Sequence, residues 1–443
     1  MKARALSWLN RFFALSPSAN VDPEVARHFR RNFIVNALDV TNWLFGASFV
    51  SVNAILPVYA SHLTDSPIVI GLIPALTDAG WFLPQLFLAP FVERLPRKLP
   101  VVAWLGALER VPYFVLPFAV LWFDRLPRPT VVILFIVLMF WKSIGSGISA
   151  TPWQELIAKV IPVSHRGRFF GLAHLAGQLL GVAGSALAAI ILYSWPYPQN
   201  FALSFLVGCL GIGASYIFVM ATIEPAQTPT PQPPHSNRQY ARRLFQILQA
   251  NANFRTYLLS RWLAYLGGMA GGFLAVYAIK QFHLPDSQAA VFTGILYGAA
   301  VVGYGVWGPL GDRWGNKRVL QIASSLWLVA LGVALWASDA WGFYLVFVLL
   351  GFGSAGVVLS DFNIALEFGP EAERPTYIGL TRTITGPALF IAPLVGGWIA
   401  QRWSYSTLFV VSLIFALAGL LLLWLRVQEP RNLAKAESQL QVS

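Results

Sequence analysis

Long apolar runs separated by short polar breaks dominate the chain. Twelve runs reach the roughly 20 mostly apolar residues that span hydrocarbon. They fall near 33–60, 68–90, 101–122, 130–154, 168–192 and 201–223, then near 256–280, 288–310, 319–337, 341–364, 376–400 and 406–426. Pro74, Pro84 and Pro309 lie inside runs, where neighbouring helices re-satisfy the freed carbonyls. The longest polar break, 224–255, sits at the centre. Its tract Thr228-Pro229-Thr230-Pro231-Gln232-Pro233-Pro234 cannot pack a core and reads as an extended linker. Tyr240, Leu244, Ile247 and Leu248 then recur at helical spacing beside Arg242 and Arg243. That spacing predicts an amphipathic helix on the cytoplasmic membrane surface.

The two halves repeat each other. Pro162, Arg166, Gly171 and Leu172 recur as Pro370, Arg374, Gly379 and Leu380. Glu93, Arg94 and Lys98 recur as Asp312, Arg313 and Lys317, and Glu224-Pro225 recurs as Glu429-Pro430. Three landmarks in the same order predict an all-α membrane protein of twelve transmembrane helices in two pseudo-symmetric six-helix bundles. The chain divides into an N-terminal segment (1–32), bundles 33–223 and 256–426, the linker 224–255 and a tail 427–443. Met1–Leu15, with Trp8, Leu9, Phe12 and Phe13, reads as an interfacial helix rather than a cleavable signal.

Only 11% of the 443 residues are charged, against about 25% in soluble proteins, which excludes an ordinary soluble enzyme. The balance of +12 is a topology signal rather than a nucleic-acid one. Of 31 Lys and Arg, 23 fall in the segments that are cytoplasmic if both termini are inside, and 4 fall in external loops. A cell-membrane location with both termini cytoplasmic follows. A lone cysteine, Cys209, and the lack of CxxC or HExxH point to no metal or cofactor. No GxxxxGK[ST] loop is present, so ATP is not the energy source within this chain.

The stretch Gly308-Pro309-Leu310-Gly311-Asp312-Arg313-Trp314-Gly315-Asn316-Lys317-Arg318 resembles the signature loop of the major facilitator superfamily. A first copy, Ala89 to Lys98, has Glu93 for the Asp and Pro96 for the second Gly. The resemblance implies two bundles that rock about a central substrate site. It implies a cytoplasmic gate of Glu93, Arg94, Lys98, Asp312, Arg313, Gly315, Lys317, Arg166, Arg374 and Arg382. Asp312 would face the start of the fifth span near Arg168, and Glu93 the start of the eleventh near Thr376.

Ionisable groups inside a membrane are functional candidates by default. The spans hold Asp39, Asp78, Glu109 and Asp361 against Arg110, Lys142, Arg261 and Arg382, with His174 besides. By the family resemblance, the cavity is lined by the first, fourth, seventh and tenth spans, which carry Asp39, Lys142, Arg261 and Asp361. Asp39 is the candidate proton acceptor, since a desolvated carboxylate can load and release a proton near neutral pH. Its bland alternative is a salt bridge to Arg110 or Arg261. Asp361 with Arg382, and Asp78 with Lys142, are candidate pairs. Trp43, Trp141 and Trp262 can stack on a bound solute or simply pack. Gly177/Gly181, Gly267/Gly271, Gly268/Gly272 and Gly294/Gly298 allow close helix approach. The resulting expectation is a monomeric secondary transporter, not an enzyme, moving a small organic solute by alternating access with protons. The favoured solute is an amphipathic or aromatic compound carried outward. Uptake of a sugar or other organic solute is the alternative. A non-transporting sensor or a membrane-embedded enzyme are readings from different classes.

Overall fold

A computed structural model describes residues 13, 22–123, 125–226, 237–369 and 373–431. The interfacial helix expected at Met1–Leu15 (Phe13 apart), the proline tract and most of the tail lie outside the described residues. So do the side chains of Glu93 and Arg374. Every regular element among the described residues is helical.

α1 (Pro23–Ser48) begins ten residues ahead of the expected span, because Asp22 caps it. The Asp22 carboxylate accepts the Glu24 N–H at 2.8 Å, and Pro23 sits in the first turn. The expected run 33–60 is not one helix. The chain leaves α1 at Ser48 and resumes as α2 (Ile55–Leu63). A continuous helix would need a donor at Pro57 for the Asn53 carbonyl, and proline has none. α3 (Pro67–Glu93), α4 (Leu99–Phe123), α5 (Arg128–Val160), α6 (Val163–Ser194) and α7 (Gln199–Met220) complete the first half.

After the linker come α8 (Asn237–Ala250) and α9 (Ala252–Gly267). The seventh expected span breaks too, into α9, a tight 3-10 turn at Gly268–Phe273 and α10 (Leu274–Gln281). Gly267, Gly268, Gly271 and Gly272 crowd this point, and glycine weakens a helix interior. α11 (Ser287–Trp314), α12 (Asn316–Trp336), α13 (Ala340–Glu367), α14 (Arg374–Arg402) and α15 (Tyr405–Leu425) follow.

Ten helices among the described residues are long and apolar enough to cross a membrane. The first expected crossing is carried by α1 with α2, whose Arg27, Arg30, Arg31 and Asp39 depress its hydropathy. The second is carried by α3, apolar over Pro67–Trp81. Large apolar side chains face outward, with Trp336 89% and Trp104 80% exposed, as a lipid-facing surface requires.

Packing repeats between the halves. α1 lies on α6 and α7, α3 on α5, and α4 on α5 and α7. Correspondingly α9 lies on α14 and α15, α11 on α13, and α12 on α13 and α15. The halves meet through α3 on α14 and α6 on α11. α8 turns Leu244, Ile247 and Leu248 onto Phe254, Tyr257, Tyr377 and Leu423. Part of its apolar face therefore packs on the second bundle, while Phe245 stays 62% exposed.

Candidate functional site

In the first half, Asp39 is buried on α1. Its Oδ1 accepts the Ser215 hydroxyl at 2.6 Å and its Oδ2 the Trp153 indole N–H at 2.8 Å. Arg110 is buried on α4. It donates to Ser215 Oγ at 3.1 Å, to the Ile212 carbonyl at 3.2 Å and to the Gly106 carbonyl at 2.9 Å. Asp39 and Arg110 are thus joined through Ser215 rather than by the direct bridge considered from sequence. Glu109 accepts Ser146 at 2.7 Å and also Ser149, with Arg110 Nη1 at 3.8 Å. Serines three residues apart on α5 therefore hold one carboxylate of α4.

Lys142 is buried on α5, with the Tyr113 ring centroid 5.8 Å from its ammonium. It lies within Coulombic reach of Glu109 and Asp78. Among the described residues it makes no hydrogen bond or ion pair, so the expected Asp78–Lys142 pair is not in contact. Asp78 is half-buried on α3. It follows Gly71 and Pro74 on the same helical stripe, and those two touch Pro393 and Gly272 of the other half.

The three candidate tryptophans differ. Trp43 packs against the Arg110 guanidinium at 5.1 Å and edge-on to Tyr113, so its face is taken by the protein. Trp141 turns away from Lys142 and donates to the Leu108 carbonyl at 3.1 Å. Trp262 is half-buried against the core.

In the second half, Arg261 is 3% exposed, and its Nε lies 2.7 Å from Asp361 Oδ1, an ionic contact rather than an aligned hydrogen bond. The same carboxylate accepts the Tyr257 and Tyr265 hydroxyls, each at 2.7 Å. The pairing of Asp361 with Arg382 is therefore corrected: Asp361 is taken by Arg261 and two tyrosines. Tyr257, Arg261 and Tyr265 recur every four residues along α9, a spacing that could have exposed the cluster. Ser215 and Trp153, far from Asp39 in sequence, carried no such signal. A cavity of about 330 Å³ adjoins Arg261 and Tyr265, and Asn53 of the first half reaches its lining.

The loops expected to gate resolve into caps. Glu224 accepts the Lys98 N–H at 2.7 Å and the Leu99 N–H at 2.7 Å, and takes the Lys159 ammonium at 2.7 Å. An anion at the N-terminal end of α4 also complements the helix dipole. Lys98 donates to the Val92 and Leu95 carbonyls, both at 2.6 Å, closing the end of α3. Arg166 donates back to the Ile161 carbonyl at 3.1 Å and to that of Ala158. The repeat returns weaker: Glu429 accepts the Lys317 N–H at 3.3 Å, beside Gly315, whose φ of +86° suits glycine. Arg431 and Asn316 both donate to Glu367 Oε1, at 2.5 and 2.6 Å. Burial and the neighbouring Glu367 raise the Glu429 carboxyl above its ordinary value. Asp312, Arg313 and Arg94 are exposed and, among the described residues, make no hydrogen bond or ion pair. The expected latch from Asp312 to the start of α6 is therefore not formed.

Away from the linker, the halves clasp. His62 Nε2 lies 3.0 Å from Asp286 Oδ2, and Ser66 donates to Gln401 at 2.9 Å. A Cβ on Gly397 would sit 2.7 Å from the Pro67 carbonyl oxygen. A Cβ added at Gly167, Gly171, Gly305, Gly308, Gly379 or Gly386 would meet nothing within 4 Å. Gly397→Val is therefore expected to prop the clasped end apart. In a Cys209→Ala background, a Ser66→Cys/Gln401→Cys disulfide should form readily. Its yield should fall severalfold once Gly397→Val is added, and an unchanged yield would remove this contact as a closure point.

A sequence profile described as Major Facilitator Superfamily matches residues 38–279 and 257–442. The chain is 26% identical over 171 residues to a multi-drug resistance efflux pump PmrA homolog of Lactococcus lactis, covering 38% of this chain and 39% of that one. It is 27% identical over 160 residues to the MFS-type efflux transporter phmH of Phaeosphaeria nodorum, covering 36% of this chain and 27% of that one. The matches thus span two fifths or less of those relatives' lengths. Among solved structures, a D-xylose-proton symporter aligns with a TM-score of 0.64 at 15% identity, covering 90% of this chain and 98% of that one. A nucleoside transporter, NupG, aligns with a TM-score of 0.68 at 14% identity over 89% and 98%.

Proposed function

Because this chain belongs to the Major Facilitator Superfamily, we propose that it is a proton-coupled secondary transporter exporting a small amphipathic or aromatic solute by alternating access. The basic linker end faces the cytoplasm, on the positive-inside count, and the membrane is the cell membrane. The direct contacts of the halves through His62–Asp286 and Ser66–Gln401 lie at the opposite end. The similarity to efflux proteins supports export.

One observation carries the coupling. Among the described residues, the basic groups that Asp39, Asp78 and Glu109 face within the first bundle are Arg110 and Lys142. Net charge inside a membrane is costly, so one proton held among the three carboxyls balances the cluster. Asp78 shares its stripe with Gly71 and Pro74, which touch the other half, so rocking alters its surroundings and moves that proton. Asp39 is held by Ser215 and Trp153 at the far side of the network, as its internal end. Arg261 and Asp361 form the matching wall of the second half. Lys98, Arg166, Gly315 and Lys317 set the loop ends, and Asp312, Arg313, Arg94 and Arg382 complete the proposed cytoplasmic gate.

The test is proton movement in proteoliposomes. Asp39→Asn, Asp78→Asn and Glu109→Gln are each expected to lower solute-driven proton flux at least about tenfold, because each removes a carboxyl from the shared site. If all three retain full flux, coupling does not reside in this cluster. A non-transporting role would show no solute-driven flux in the unmodified chain.

A further inference from the structure

The cavity of the second half is set apart from the acid–base network of the first. It holds about 330 Å³, at the lower end of small-molecule sites. Both broken spans reach it. Gly268 and Gly271 come from the turn after α9, and Asn53 from the break between α1 and α2. Discontinuous membrane helices frequently frame binding sites. The Asn53 contribution means that relative motion of the halves changes the chamber.

Its lining is mixed in a specific way. Tyr265, Trp327 and Phe347 supply aromatic surface. The Trp327 indole N–H is already committed to the Gly267 carbonyl at 3.0 Å, which fixes the ring. Arg261 is buried; it engages Asp361 through Nε and is hydrogen-bonded to Tyr265, which fixes its guanidinium at the chamber wall. Ser324 also lines the chamber, and its buried hydroxyl has no partner. A buried donor without an acceptor costs about 1–3 kcal/mol, which a bound acceptor removes. A planar guanidinium fork and a hydroxyl together match a carboxylate.

We propose that this chamber binds an aromatic organic anion, its carboxylate held by Arg261 and Ser324 and its ring against Tyr265 and Trp327. The proposal rests on the transporter reading and narrows its solute from amphipathic compounds to aromatic carboxylates.

Binding to the full chain in detergent is measured by tryptophan fluorescence with three probes of one shape: naphthoate, naphthamide and a naphthyl-trimethylammonium salt. Naphthoate should bind at least about tenfold more tightly than the other two, the discrimination a hydrogen-bonded charge provides. Ser324→Leu fills the chamber without touching the ion pair and should abolish naphthoate binding. Arg261→Lys keeps the charge opposite Asp361 but loses the fork, and should weaken naphthoate about tenfold while leaving naphthamide unchanged. The second variant decides the matter if the first does not fold. Equal binding of naphthoate and naphthamide, or full naphthoate affinity in the folded variants, would overturn the chamber. Selective naphthoate binding without proton flux in proteoliposomes upholds the chamber and overturns the coupled reading. Proton flux with another solute and no naphthoate binding does the reverse.

Discussion

Asp361→Leu is expected to destabilise the chain by about 3–5 kcal/mol, the cost of stranding one member of a buried ion pair. Arg261 is 3% exposed, and the Asp361 carboxylate is its acidic partner at 2.7 Å. Removing the acid also takes from the Tyr257 and Tyr265 hydroxyls the carboxylate to which each donates at 2.7 Å, leaving Tyr257 the Asp361 backbone carbonyl at 3.3 Å. The double variant Asp361→Leu/Arg261→Met should recover most of the loss, since an apolar pair of similar volume often matches a buried salt bridge. Transport should remain absent in the double variant. Thermal unfolding of the detergent-solubilised proteins gives the stabilities, and proteoliposome flux gives the activity. If the single variant is as stable as the unmodified chain, the pair is solvated and the cluster is not the buried wall described above.

That cluster shows where sequence reasoning reached and where it stopped. Spans announce themselves because every residue of a lipid-facing helix must be tolerable in hydrocarbon. The two-half organisation was legible because the loops repeat. The partners of each buried charge were not, because they come from other helices. Asp39 finds Ser215 on α7 and Trp153 on α5, more than a hundred residues away, and a serine or tryptophan in an apolar run carries no mark of that duty. The two helix breaks were hidden for another reason. Gly267–Gly272 and the segment around Asn53 are apolar enough to pass as spans, so hydropathy reads through them. Local glycine and proline chemistry, not mean hydropathy, sets those ends. The Glu-Pro repeat was visible as a pattern, but only the folded chain shows the carboxylates capping α4 and α12.

Those caps should not be equivalent. Glu224→Ala is expected to cost about 3 kcal/mol or more. It removes an acceptor from two backbone N–H groups and, among the described residues, leaves the buried Lys159 ammonium with only the Pro96 carbonyl, at 2.8 Å. Glu429→Gln should be near neutral or stabilising. Its carboxylate is held by a single longer N–H contact, at 3.3 Å, and is repelled by Glu367. The pH dependence differs accordingly. The folded chain holds the Glu429 proton more tightly than the unfolded chain does, so stability falls as pH rises above the ordinary value of 4.5. Glu429→Gln should remove some of that decline. Cys209, 2% exposed on α7, provides the readout for Glu224, because a thiol-reactive dye labels it only once the first half opens. Labelling of Glu224→Ala should begin many degrees earlier on heating. Identical labelling curves for Glu224→Ala and the unmodified chain would mean that the cap contributes nothing, and that the paired Glu-Pro signals reflect ancestry without a structural task.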